Sequence, residues 1–158
     1  MSVAIWRIAM ARPGVPAIDL SGAGAASAGG RWNSRGIAAV YTSASIALAC
    51  LETLVHFNSA ALPLKRFVVR IDVPDDVWVA RKSLALADLP AGWDALPAAK
   101  ASIEIGGRWL DQGETALLQV PSVIVPEEFN VVVNPRHPHA SRLVATADRA
   151  WHYDGRLL

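Results

Sequence analysis

The chain has 158 residues, 53% of them hydrophobic and 18% charged, enough for one compact domain, expected over residues 1–158, with a sizeable core. Its net charge is +1 with Lys and Arg scattered, which speaks against a nucleic-acid face or a polybasic membrane patch. The N-terminus has no extended apolar stretch, no later segment reaches about 18 apolar residues without charge or Pro, and the single Cys50 suits a reducing compartment; a cytoplasmic protein is expected.

Val3 to Ala9 reads as a first strand in which Arg7 is out of place among apolar neighbours. Two readings stand: an Arg reaching solvent at a strand edge, or a guanidinium placed to fork onto phosphate oxygens. Residues 12–30 are rich in Gly, Ala, Ser and Pro and read as loop. Gly29-Gly30 there allows backbone amides to approach a diphosphate, but the stretch lacks the G-x-G-x-x-G turn of a dinucleotide-binding Rossmann unit, and that reading is rejected.

Ile37 to Ser43 predicts a second strand delivering Tyr41 near its end. Ser45 to Phe57 contains neither Gly nor Pro, opens on a Ser that can cap, and predicts a helix of more than three turns at about 3.6 residues each. Because almost every side is apolar, the helix is expected to be enclosed, and Glu52, with His56 at i+4, becomes the anomaly. An unpaired carboxylate in such surroundings costs several kcal/mol, so a compensating group is required, and Arg31 and the Tyr41 hydroxyl are the nearby candidates. A buried structural ion pair and a catalytic carboxylate both fit this pattern.

Residues 58–65 read as a connection closed by Pro63. Phe67 to Val73 alternates as a strand, Val77 to Val79 as a short strand, Ser83 to Leu89 as a brief helix, and Ala98 to Leu110 as a helix interrupted at Gly106-Gly107. Ala116 to Val125 predicts a buried strand bordered at Pro121, Phe129 to Val133 another, and Ala150 to Asp154 a last strand or arm. Neighbouring strands would bring Ser122 and Asn130 to one cleft, although turn and strand-end hydrogen bonding explains the same residues. His137-Pro-His139 lacks the further ligands of a zinc tetrad, so no metal is expected. Without a G-x-S-x-G elbow, Ser122 is no hydrolase nucleophile.

The order Gly29-Gly-Arg31-Trp-Asn33, Tyr41-Thr-Ser43 and Leu51-Glu52-x-Leu-x-His56 resembles the RES-domain family, the toxin halves of bacterial toxin–antitoxin pairs. Gly92-Trp93, Gly106 with Trp109-Leu110, Val120-Pro-Ser122, and Asn130 through Asn134-Pro135 to His137-Pro138 extend the likeness over nearly the whole chain. The resemblance implies an α+β fold of ADP-ribosyltransferase type, with twisted, mostly antiparallel sheets and flanking helices. It also implies binding of NAD and cleavage of the nicotinamide–ribose bond, with hydrolysis or phosphorolysis that depletes NAD placed first. ADP-ribosylation of a host protein is the alternative, and a non-catalytic partner-binding module the rival from another class.

Carried over by that resemblance, Glu52, Tyr41 and Arg31 form the catalytic set, while Arg7, Gly30, Ser122 and Asn130 join Arg31 and Tyr41 around NAD. The implied partner is an antitoxin with an Xre-like helix-turn-helix domain.

Overall fold

The computed structural model describes residues 1–56 and 65–158. Of the predicted connection at 58–65 all but Lys65, and the predicted helix end at Phe57, lie outside the described residues.

Alternating apolar residues build the long strands β1 (Ser2–Met10) and β3 (Arg66–Pro74), which run antiparallel in full register from Ser2↔Pro74 to Met10↔Arg66. β3 also pairs with β7 (Val144–Trp151), where a bulge sets Asp148 outside the register, and β7 forms the sheet's long edge. On the other side of β1 come β2 (Val40–Ser43), β6 (Phe129–Val133), β5 (Leu117–Pro121) and the two-residue β4 (Lys82–Ser83). The result is an α+β protein on one seven-stranded sheet of order β4-β5-β6-β2-β1-β3-β7, antiparallel except for β4 against β5.

Two apolar cores lie on opposite faces. Ile5, Ala9, Val40, Val69, Val131 and Leu117 belong to one; Trp32, Trp93, Trp109, Leu118, Val120 and Val132 belong to the other. β1 meets β2 only at Trp6↔Ser43, so the sheet's halves part on either side of one residue pair. Across this junction packs α2 (Ile46–Leu54), in contact with both strands.

Several sequence expectations change. The helix at 46–54 begins as expected, with the Ser45 hydroxyl accepting the Leu48 amide, but it is not enclosed, because Leu51 and Val55 face solvent. Only Leu48, Ala49 and Cys50 of this helix are buried, so an apolar composition did not translate into burial all round. Residues 75–79 form a helical turn, α3 (Asp75–Val79), instead of a strand. Pro74 ends β3, and Asp75 and Asp76 place negative charge against the helix N-terminus, which outweighs the β-branched Val77 and Val79. Between Gly22 and Gly29 the expected loop carries a six-residue helix, α1 (Ala23–Ala28). The expected helix at 83–89 shrinks to one tight turn at Leu86–Asp88, with Ser83 taken into β4.

The glycine pair at 106–107 does not break α4 (Lys100–Gln112), which ends at Gly113 in the left-handed conformation. Gly106 instead lets the helix lie against the backbone of Trp32: a Cβ there would overlap the Trp32 carbonyl. The second strand is shorter than the expected 37–43, and the last one starts six residues before Ala150.

Candidate active site

Glu52 projects from the second turn of α2 and is half-buried. Its compensating partners are not those expected from proximity in sequence. Ser122 Oγ donates to Glu52 Oε1 at 2.7 Å, and Asn130 Nδ2 donates to the same oxygen at 2.6 Å. Ser122, fully buried just after β5, has no freedom in this: its Oγ accepts the amides of Ile124 and Val125, each at 3.1 Å, so its proton is left to point at the carboxylate. Asn130, near the start of β6, is turned by Ser43, whose Oγ donates to its Oδ1 at 2.7 Å. Both hydrogen bonds to the carboxylate converge on Oε1, so Oε2 carries no protein hydrogen bond among the described residues.

Arg31 and Tyr41 are each held by networks of their own. The Arg31 Nη1 donates to the carbonyls of Trp93 and Ala95, at 2.8 and 3.0 Å, leaving Nε and Nη2 without protein acceptors among the described residues. Desolvation lowers the Arg31 pKa, while the charges of Glu52, Asp94 and Tyr41 oppose that shift. The guanidinium therefore lies within the field of the carboxylate without forming a salt bridge to it. Tyr41 Oη donates to Asn33 Oδ1 at 2.6 Å and accepts the Trp32 amide at 2.9 Å. Burial pushes its pKa up to about 12, against the opposing pull of the Trp32 amide and the Arg31 charge, so the phenol is neutral.

Asn33 is the pivot of the 30–33 turn. Fully buried, it donates to the carbonyls of Ala25, Ser34 and Ile37 and accepts from Tyr41. Gly30 closes the turn: its amide donates to the Asn33 carbonyl, and a Cβ would stand 2.7 Å from Tyr41 Oη and 2.8 Å from Asn33 Oδ1. The requirement for glycine at 30 is thus close packing around the phenol, and its amide is already committed within the protein.

Arg7 is placed apart from these groups. Alternation along β1 puts it between Ile5 and Ala9 of the opposite core, and its Nη1 donates to the Asp19 carbonyl at 3.2 Å. Burial lowers its pKa, partly offset by Asp19. Trp6, in register with Ser43, takes the Glu52 side of the sheet instead. His56 lies beyond the end of α2 and is exposed, so the i,i+4 pairing with Glu52 does not form. An open depression of ≈ 720 Å³ lined by Ile18, Leu20, His137 and Ser141 lies against the core of Val133 and Leu143. It includes no residue of the Glu52 group, and the hydrogen-bonded carboxylate is the stronger chemical indicator.

The structure thus brings Glu52, Ser122 and Asn130 into direct contact, leaves Arg31 within the electrostatic field of Glu52, ties Tyr41 to the same 30–33 turn, and keeps Arg7 on the other face. The sequence motifs include Ser43, Asn33 and Trp93 but assign none of the three a role of its own. The available signal was the Asn that closes Gly-Gly-Arg-Trp-Asn, an amide able to both donate and accept after a glycine pair. Among the described residues no cluster of metal-ligating side chains occurs, and no helix is long and apolar enough to cross a membrane.

The RES domain model matches residues 4–154. The chain belongs to the RES domain family. Along its whole length it is 51% identical to the Prs ADP-ribosylating toxin of Sphingobium sp. (strain YBL2), covering 98% of that protein. It is also 38% identical over 133 residues to the Toxin Res of Yersinia enterocolitica serotype O:8, with 84% of each chain covered. Among solved structures, the M. tuberculosis MbcT–MbcA toxin–antitoxin complex contains a chain of the same fold, with a TM-score of 0.71 at 19% identity, covering 96% of this RES domain chain and 84% of that one.

Proposed function

We propose that this protein is the toxin of a toxin–antitoxin pair, and that it splits the nicotinamide–ribose bond of NAD and passes ADP-ribose to a protein acceptor. The observation that carries the reading is the Glu52 carboxylate, clamped on one oxygen by Ser122 and Asn130 with the other oxygen open. Family membership and the 51% identical ADP-ribosylating toxin supply the substrate class and favour a protein over water or phosphate as acceptor.

As the glycosidic bond breaks, its electron pair leaves with neutral nicotinamide, and positive charge develops on the ribose. The open Glu52 Oε2 accepts a hydrogen bond from the ribose 2′-hydroxyl and holds its negative charge against that oxocarbenium-like carbon. A carboxylate already clamped by two donors needs no reorganisation when the charge appears. Arg31 offers Nε and Nη2 to the diphosphate. The neutral, rigidly held Tyr41 presents its ring to the nicotinamide end. An acceptor nucleophile then attacks the ribose carbon and surrenders its proton, completing the transfer. The toxin Res relatives and the MbcT–MbcA complex support an antitoxin partner, with an Xre-like helix-turn-helix protein as the proposed type.

Glu52→Gln tests the assignment, because the amide keeps an acceptor for Ser122 and Asn130 and removes the charge. Purified protein with NAD labelled in the adenine half, incubated with and without lysate, is expected to put label on a protein band and release nicotinamide. The Gln variant should do so about 10²- to 10³-fold more slowly and spare cells from growth arrest. Free labelled ADP-ribose in place of a labelled band would mean that water is the acceptor. A folded Gln variant as toxic as the parent would remove the enzymatic reading.

A further inference from the structure

Ser43 is a second buried hydroxyl in the site, one that does not touch the carboxylate itself. It is 3% exposed and stands at the one residue pair that joins β1 to β2. Through the β2–β6 register it faces Asn130, and its Oγ donates to Asn130 Oδ1 at 2.7 Å. Asn130 in turn donates to Glu52 Oε1 at 2.6 Å.

The chemistry of the three groups fixes the direction of this chain. A carboxylate only accepts, so the amide must present its Nδ2 to Glu52; its Oδ1 then faces Ser43, which must donate. With the Ser43 hydroxyl absent, an amide rotated by 180° would turn its oxygen onto the carboxylate, and among the described residues no other hydrogen bond to Oδ1 opposes it. Resting on the function proposed above, we propose that Ser43 is a positioning residue for that reaction: it locks the Asn130 amide in the one orientation that clamps Glu52 and keeps Oε2 aimed at the ribose. Ser43 itself does not touch the substrate. Ser122 is locked separately by two backbone amides, so Asn130 is the member of the clamp whose orientation depends on a side chain.

The test is Ser43→Ala, alone and in an Asn130→Ala background, with nicotinamide release as the readout. The single variant should lose about tenfold in kcat, the rate equivalent of one hydrogen bond's net contribution, with KM changed less than about twofold. In the Asn130→Ala background the same substitution should change nothing further. Ser43→Cys, similar in size but a weaker donor, should fall between, and it keeps the comparison open where the smaller residue disturbs the fold. Independently of turnover, the two side-chain amide protons of Asn130, well separated in the parent by the bond to a carboxylate, should converge in Ser43→Ala spectra recorded without NAD. An unchanged kcat, a loss equally large without Asn130, or unmoved Asn130 amide signals would each overturn the role given to Ser43. A parent protein that releases no nicotinamide from NAD would instead overturn the proposed function, and the substrate-free spectra would still decide the positioning role.

Discussion

At the scale of single residues, the site consists of groups whose protonation and orientation are set by neighbours far away in sequence. Tyr41 illustrates the energetic side. Its phenol is held neutral by burial, with a pKa raised to about 12 from the ordinary 10.0. For a group whose folded pKa is raised, stability is full below the unfolded value and declines as pH rises toward the folded one. Denaturant titrations should therefore show the protein losing up to roughly 2 to 3 kcal/mol between about pH 10 and pH 12, a slope that Tyr41→Phe removes. Below that window the Phe variant should be less stable by about 1 kcal/mol or more, since the Trp32 amide loses its acceptor. Glu52 was legible because a charge inside an apolar helix needs a partner, and Arg31 and Tyr41 were read as its neighbours from local segments. Its actual hydrogen-bond partners, Ser122 and Asn130, lie 70 and 78 residues away, and only strand register brings them in. Spacing along the chain carries no information about that register, which is why the pairing of Ser43 with Asn130 was not legible.

Whole elements explain how the Arg31 turn keeps its place. α4 leans on the Trp32 backbone at Gly106, and Trp32 stacks on Trp93 with ring centroids 6.3 Å apart, beside the carbonyl that receives Arg31. The adjacent Gly107 meets nothing within 4 Å. The two glycines of one helix should therefore respond oppositely to the same change. Gly106→Ala should destabilise by about 1 to 3 kcal/mol and displace the Arg31 turn, whereas Gly107→Ala should stabilise by up to about 1 kcal/mol through helix propensity alone. Thermal unfolding of both variants, with nicotinamide release measured alongside, checks the pair. From sequence, a Gly-Gly pair signals interruption, because each glycine costs helix stability; the compensation at Gly106 is a tertiary contact invisible at that level. The same limit explains residues 75–79, where valines suggested extension and the charges of Asp75 and Asp76 after Pro74 prevailed. Long alternating strands such as β3 were legible because one face had to be buried along their whole length.

For the molecule as a whole, the decisive question is whether a sheet parted at one residue pair behaves as one folding unit. The register between β1 and β2 is only Trp6↔Ser43, and the site straddles that junction, with Ser43 on it and α2 packed across both strands. Taken by backbone pairing alone, β1-β3-β7 and β2-β6-β5-β4 would open separately, and the Glu52 clamp would come and go with that opening. The apolar core argues otherwise: Ile5, Val69 and Ile71 from one half share a continuous cluster with Val40, Val131, Val133 and Leu117 from the other. Separating the halves would expose most of those side chains, at roughly 1.5 to 3 kcal/mol for each large one. Unfolding should accordingly be a single transition, with far-ultraviolet circular dichroism and tryptophan fluorescence tracing the same curve. The slowest-exchanging amides should occur in both β3 and β6 with the same opening free energy. Two separated transitions, or protection confined to one half, would mean that the junction is a hinge and that the carboxylate is assembled only part of the time. Replacing Trp6 with Ala removes a half-buried indole at that junction while leaving its backbone pairing to Ser43 in place, and should lower the midpoint of that one transition without splitting it.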